Sequence, residues 1–313
     1  MLSRTAASLF WLARYVERAE NIARILDVAQ RMATVPAEIA DETNEWESAL
    51  VAAGCADGFY AGHDKATRRA VINYLAFAEE NPSSVRSCLA QARSNARAVR
   101  TALTSDMWEA INGAWLELQE MEPSRWSSRE LNDFLTWVKE VSVRFDGSAH
   151  RTMLRRDTFF FSRVGLYLER ADNTARILDV KYHVLLPDPS DVGGGLDYYQ
   201  WTAILRGVSA LTAYHWVYRD SIKPRLIADL LILRPEMPRS LTSCYENIAF
   251  FLGRLERVYG RQGEAQRLAR STYTRLLNCR TDDIFQQGLH EFLQSLIAEN
   301  NRLGAAIAEQ YLF

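Results

Sequence analysis

The sequence predicts an all-α protein, and three observations predict it. Gly and Pro are sparse, 15 and 8 in 313 residues, and they cluster. Long windows between the clusters carry apolar residues at spacings of three and four, with no alternation of the kind strands need. Helix-start signals stand in front of several of these windows. A charged segment, Tyr15 to Val28, also recurs 152 positions later as Tyr167 to Val180. The expected architecture is therefore an interlocked helical bundle built from a pseudo-twofold tandem duplication. Roughly six helices are expected per half, with residues 1–147 as first repeat and 148–313 as second, packed as one body.

The first helix is expected from Leu2 to Met32, a stretch without Pro or Gly whose Leu9, Leu12, Val16, Ala19, Ala23 and Leu26 share one face. Pro36 follows as a stop signal. A second helix holds Trp46, Leu50 and Val51, and Gly54 to Gly62 break the chain before another helix near Arg68 to Glu79. Asn81-Pro82-Ser83-Ser84 reads as a start with Asn81 capping and Pro82 in the first helical position, leading to a helix that reaches Leu103. Trp108 to Gln119 makes another, and Ser127-Ser128-Arg129-Glu130 is a capping box opening a helix through Leu131, Phe134, Leu135 and Val138. After Gly147 a long helix is expected to carry the second motif to His183.

Pro187-Asp188-Pro189 and Gly193-Gly194-Gly195 form the clearest loop; the glycines lack the preceding strand and following Gly-Lys-Ser/Thr of a phosphate loop. Beyond it the plan repeats. Trp201 and Leu205 answer Trp46 and Leu50, and Pro238, Ser240, Ser243 and Cys244 stand where Pro82, Ser84, Ser87 and Cys88 stood 156 residues earlier. Leu289-His290-Glu291-Phe292-Leu293 echoes Leu131-Asn132-Asp133-Phe134-Leu135. The two motif helices are expected to pack antiparallel about the pseudo-twofold axis.

A net charge of −2 and the absence of a Lys/Arg block argue against nucleic acid. Only Lys65, Lys139, Lys181 and Lys223 are lysine, an arginine bias that a GC-rich genome also produces. Cys55, Cys88, Cys244 and Cys279 are widely spaced, with no Cys-x-x-Cys pair, which fits reduced, mostly buried thiols of a cytoplasmic protein. Thr5 to Ala13 resembles a leader core, but its counterpart recurs internally at Phe159 to Leu166, so a structural helix is expected there. No run is long and apolar enough for a membrane span.

On a helical wheel, the apolar residues of the motif fill one arc and Glu17, Asn21 and Arg24 fall opposite, with Glu20 and Asp27 at the edge. The second copy keeps this stripe as Glu169, Asn173, Arg176, Asp172 and Asp179. Solvated faces have little reason to keep residue identity, which leaves two readings open. Either the stripes form a buried polar seam that fixes register, or they line a cleft. In the cleft reading Arg18, Asn21, Arg24, Arg170, Asn173 and Arg176 hold a carboxylate- or phosphate-bearing ligand, with Glu17 and Glu169 as the candidate catalytic pair. Glu17-x-x-Glu20 and Glu169-x-x-Asp172 lack the histidine of a di-metal bundle site; His183 follows Asp179, but Arg31 stands in its place in the first copy. No metal or cofactor site is expected. The five histidines belong to no catalytic signature, and the eight tryptophans read as core or interface anchors.

Met1-Leu2-Ser3-Arg4-Thr5-Ala6, Phe10-Trp11-Leu12-Ala13-Arg14-Tyr15-Val16-Glu17-Arg18-Ala19-Glu20-Asn21 and Tyr167-Leu168-Glu169-Arg170-Ala171-Asp172 resemble the alpha-E family, bacterial all-helical proteins named for a Glu-Arg motif. Asn81 to Cys88 and Pro238-Arg239-Ser240-Leu241 extend the likeness over the full chain. One departure is Ala13, where the family pattern has Gly, as the second copy does at Gly165; it bears on close packing. The resemblance implies partners: a circularly permuted ATP-grasp ligase and a transglutaminase-like protein, in a system that makes or modifies peptides. ATP would belong to the ligase. Three functions are compatible with it: an accessory or substrate-holding partner of that ligase, an amide-forming or amide-cleaving enzyme acting between the two Glu-Arg motifs, or a scaffold with a polar seam. A peptide or amino-acid ligand and a homo-oligomer both stay open.

Overall fold

Two long helices make the centre, because each is apolar on one arc and carries on the other charges that find partners within the body. The structure, a computed structural model, describes residues 1–33, 45–121, 126–183 and 194–313. Helix α1 spans Ser3–Met32 and α8 spans Asp157–His183. Every residue of α1 from Ala19 to Gln30 is buried, polar ones included. A helix buried all round lies inside a protein, not on its surface.

The first half continues with α2 (Glu45–Ala52), α3 (Ala56–Tyr60), α4 (Arg68–Ala76), α5 (Val85–Ala98), α6 (Ser105–Gln119) and α7 (Ser128–Thr152). The second has α9 (Gly195–Gly207), α10 (Leu211–Tyr218), α11 (Pro224–Ala228) with a π-turn over Asp229–Leu233, α12 (Leu241–Tyr259), α13 (Glu264–Asn278), α14 (Thr281–Gln287) and α15 (Leu289–Tyr311). The fold is all-α, with no strand among the described residues. Helix α5 packs along α1 and α12 along α8; α7 and α15 flank the same two helices, and α6 and α13 close the outer layer. Helix α9, which follows α8, packs on α1, and α2, which follows α1, packs on α8 as well as on α1. This exchange interlocks the body around one continuous apolar core.

Local chemistry explains the starts and stops. The Ser127 box forms, with Ser127 Oγ accepting from the Glu130 amide and Glu130 accepting from the Ser127 amide. Ser84 and Ser240 cap α5 and α12, their hydroxyls accepting from the Ser87 and Ser243 amides at 3.1 and 3.0 Å. The cap of α5 is therefore not Asn81, whose amide instead donates to the Tyr74 carbonyl while its Oδ1 accepts from Ser83 N. Pro82 sits in the turn before the helix, and α5 stops at Ala98. The single helix expected after Gly147 is two: α7 continues through residue 147 to Thr152, and the chain turns at Met153–Arg156 before α8. The expected repeat boundary thus lies inside α7. Short helices raise the number among the described residues to seven in residues 1–152 and eight beyond, where roughly six per half were expected. Pro36, Pro187-Asp188-Pro189 and Gly193 lie outside the described residues. Trp46 and Trp201 are buried, five tryptophans pack partly buried against the core, and Trp216 is exposed.

The two central helices run in the same general direction, not antiparallel. Contacts between them keep a nearly constant sequence separation of 151 to 156, from Met1 with Asp157 at the helix starts, through Phe10 with Gly165, to Glu17 with Asn173. Antiparallel packing would change it by two per residue. Antiparallel neighbours arise where a short loop joins successive helices; here α2 to α7 intervene and carry the chain back. Gly165 permits the approach, since a Cβ there would lie 2.3 Å from the Phe10 carbonyl oxygen.

Candidate functional site: the Glu-Arg seam

Parallel packing brings each motif's glutamate against the other motif's arginine. Arg170 Nε and Nη2 donate to Glu17 Oε1 and Oε2 at 3.0 and 2.8 Å. Arg18 Nε and Nη2 donate to Glu169 Oε1 and Oε2 at 2.6 and 3.2 Å, the same side-on geometry with the copies exchanged. Each arginine also lies over the tyrosine three residues before it, Arg18 over Tyr15 at 5.8 Å and Arg170 over Tyr167 at 5.6 Å. Glu17 and Glu169 are 1 and 2% exposed, so the pairs are desolvated. Buried carboxylates are tolerated only when paired and hydrogen-bonded.

Each glutamate recruits a second arginine, from a different place in each half. Glu169 takes Arg14 Nε at 2.6 Å, one turn before Arg18 on α1. Glu17 takes Arg239 Nη1 at 2.9 Å, from the residue before the cap of α12. The counterpart of Arg14 is Leu166, and that of Arg239 is Ser83. The halves have traded positions for the second cation while keeping two arginines per glutamate. Burial pushes the Glu17 carboxyl up, but Arg170 and Arg239 outweigh it and hold its pKa at about 2. Glu169 is likewise lowered, with Arg14 and Arg18 overcoming burial.

The next turn ties the seam to the exchanged helices. Arg24 Nε and Nη2 donate to Glu20 Oε1 at 2.9 and 2.6 Å, and Arg24 Nη1 reaches the Gly207 carbonyl at 2.5 Å and Ser209 Oγ at 3.1 Å. The guanidinium thereby satisfies an orphan carbonyl at the C-terminal end of α9, where positive charge suits the helix dipole. Arg176 donates to Asp172 at 2.6 Å and lies at the matching end of α2, where a Cβ on Gly54 would be 3.2 Å from it. Gly54 and Ser209, both with left-handed φ near +60°, mark the two helix ends. Glu20 also takes Ser142 Oγ of α7 at 2.6 Å and an Arg239 nitrogen. Asp172 has only Arg176 among the described residues, its Oδ1 is buried without a partner, and burial raises its pKa against the pull of Arg176.

The last charged pair of the stripe faces outward helices. Asp27 accepts from Arg31 at 2.9 Å and from Lys139 of α7 at 3.3 Å. Asp179 meets His290 Nδ1 and Gln294 Nε2 of α15, both at 2.7 Å. A histidine beside Asp179 is His290 of α15, and no group of three or more His, Cys, Asp or Glu among the described residues could hold a metal.

Of the residues singled out from sequence, Glu17, Arg18, Glu169 and Arg170 come together directly. Asn173 Nδ2 donates to the Glu17 carbonyl at 3.4 Å, while Asn21 is buried with no partner for its Oδ1. Arg24 and Arg176 turn to their own helix and to a helix end. Sequence reasoning missed Arg14, Arg239 and Ser142. Arg14 was findable, being one turn from Arg18 on the same face; Arg239 and Ser142 reach the seam only through tertiary packing. Four surface clefts among the described residues are lined by other residues than Glu17 and Glu169. No helix among the described residues is long and apolar enough to cross a membrane.

A comparison with curated proteins and with solved structures finds no match to this chain. A family model does match, over residues 1–312: alpha-E, described as a predicted alpha-helical domain with a conserved Glu-Arg motif. Two Glu-Arg dipeptides of the chain, Glu17-Arg18 and Glu169-Arg170, cross in its interior, and the chain belongs to the alpha-E family.

Proposed function

We propose that this protein is a helical accessory partner of an ATP-grasp ligase in a bacterial, cytoplasmic peptide synthesis or modification system, with its Glu-Arg motifs acting as the internal lock of a binding body. The observation that carries the non-catalytic part is the state of the two glutamates. Both are buried, and all four carboxylate oxygens accept from arginine. A general acid or base must reach a substrate proton and titrate near the working pH; Glu17, held at about 2, does neither. The ligase, and a transglutaminase-like protein beside it, come from the family resemblance. A peptide or amino-acid ligand would then lie on the outer surface, and ATP on the ligase. Co-purification tests the reading: a complex should form with the neighbouring ligase, whose turnover should drop when this protein is omitted. Absence of a complex with unchanged turnover would refute it.

One observation favours an enzyme. The seam is less sealed on the Glu169 side, where the partners Arg14 and Arg18 are 15 and 24% exposed against 14 and 13% for Arg170 and Arg239 on Glu17. For that reading Glu169→Gln should stay fully stable and abolish turnover of an amide substrate.

A further inference from the structure

We propose that the cleft between the turn preceding α8 and the last two turns of α12 binds a small phosphate-bearing molecule. The cleft has a volume of about 480 Å³, within the range of roughly 300–1,000 Å³ usual for small-molecule sites. Arg155 and Arg156 line one side and Arg254 and Arg257 the other. None of the four forms an ion pair with Asp or Glu among the described residues.

Several exposed arginines of the second half are paired, Arg267 with Glu264, Arg270 with Glu256, Arg275 with Glu299 and Arg225 with Asp282, whereas these four converge on one cleft without an acid partner. Glu256 lies between Arg254 and Arg257 in sequence, yet it is turned to Arg270 on α13. Asp157, the one acid of the cleft, accepts from the Tyr259 hydroxyl at 3.0 Å and from the Thr158 amide at 2.9 Å. Four cations therefore face one carboxylate whose oxygens are both engaged. Leaving like charges together costs free energy, which an anion bound between them would recover.

The chemistry of the walls points to phosphate. A guanidinium fork offers paired N–H groups to paired oxygens. Four guanidinium groups from two chain segments, of which Arg155 also donates one N–H to the His150 carbonyl, exceed what one carboxylate can accept, and they match the more numerous oxygens of a phosphate or diphosphate. The positive end of α8 adds to the attraction. Phe160 and Val258 supply apolar wall for an organic portion, and Arg254 lies over Phe160 and Phe250 at 5.4 and 5.9 Å. Arg155 lies over Phe159 at 4.0 Å. This site is separate from the seam and stands whether or not the ligase partnership holds.

Calorimetric titration of the full chain with inorganic pyrophosphate at fixed ionic strength is the test, with citrate and a short single-stranded oligonucleotide as comparison ligands. The expected result is saturable one-site binding of pyrophosphate, about tenfold or more tighter than citrate. The Arg254→Glu/Arg257→Glu variant should lose at least about tenfold in affinity, and Arg267→Glu should bind like the parent. Arg155→Gln/Arg156→Gln, on the opposite wall, should show the same loss and serves where the α12 variant fails to fold. Lack of saturable binding, binding indifferent to both double variants, or preference for citrate or for the oligonucleotide would overturn the proposal.

Discussion

Arg170 and Glu17, 153 residues apart, form a side-on ion pair in the protein interior. Arg18 and Glu169 form the same pair with the copies exchanged. The glutamate of each Glu-Arg motif is consequently met by the arginine of the other. Replacing a buried pair with apolar residues is often neutral or stabilising, so the worth of the seam lies in specifying which helices meet and in what register. The following expectations derive from that.

Acid should dissolve the lock from a defined pH. Burial alone would raise the Glu17 pKa, but Arg170 and Arg239 lower it from 4.5 to about 2, and Glu169 is lowered in the same sense by Arg14 and Arg18. A carboxyl lowered on folding stabilises the fold above its unfolded pKa and loses that contribution as pH falls through the folded value. The melting temperature should therefore hold from neutrality to about pH 5 and fall steeply toward pH 2. In Glu17→Gln this acid limb should be shallower; equal slopes would count against the assignment.

Asp172 should behave in the opposite sense. Its folded pKa is raised by burial despite Arg176, so its charge opposes folding at neutral pH and that penalty is relieved as pH falls. Asp172→Asn should leave the urea midpoint at pH 7 within about 1 kcal/mol of the parent, or above it. A loss as large as that of Glu17→Gln would show that Asp172 is paired as tightly as the glutamates.

The contact of Gly165 with Phe10 is backbone on backbone, so neither partner can turn aside. Gly165→Ala should separate α1 from α8 and cost about 1–3 kcal/mol or more, as overpacking does. Gly113, in α6 with nothing within 4 Å of an added Cβ, is the control, and Gly113→Ala should stabilise by about 0.5–1 kcal/mol. Thermal denaturation of the two variants decides it.

Much of this was legible in the sequence, for local reasons. Helix α1 and the Ser127 box depend on periodicity and a four-residue signal, and both formed as expected. The cap of α5 was misplaced by three residues because Asn81 and Ser84 offer similar side-chain acceptors, and only the Tyr74 carbonyl, a tertiary partner, claims Asn81. Direction was lost for a similar reason: reciprocal Glu-Arg pairs are equally consistent with parallel and antiparallel helices until the intervening helices are placed. Retention of the stripe pointed to the seam, whereas the traded positions of Arg14 and Arg239 left no repeat to find.

Thiol reactivity should follow burial. Cys88 and Cys244 occupy matching first turns of α5 and α12, are fully buried, and burial pushes their thiols up to about 12. Reactivity needs thiolate and access. With a chromogenic disulfide reagent, the partly exposed Cys279 should label first, and Cys88 and Cys244 only with unfolding. Rapid native labelling of Cys88 or Cys244 would argue that the seam opens.

The central claim is that the Glu-Arg motifs hold the body together, and a double-mutant cycle on one pair tests it most directly. Urea unfolding of Glu17→Gln, Arg170→Met and the double variant should show single losses of about 3–5 kcal/mol, from the charge left buried. The double loss should fall short of their sum by at least about 1 kcal/mol. Single variants as stable as the parent, with additive effects and function lost, would contradict the claim and make the seam a site.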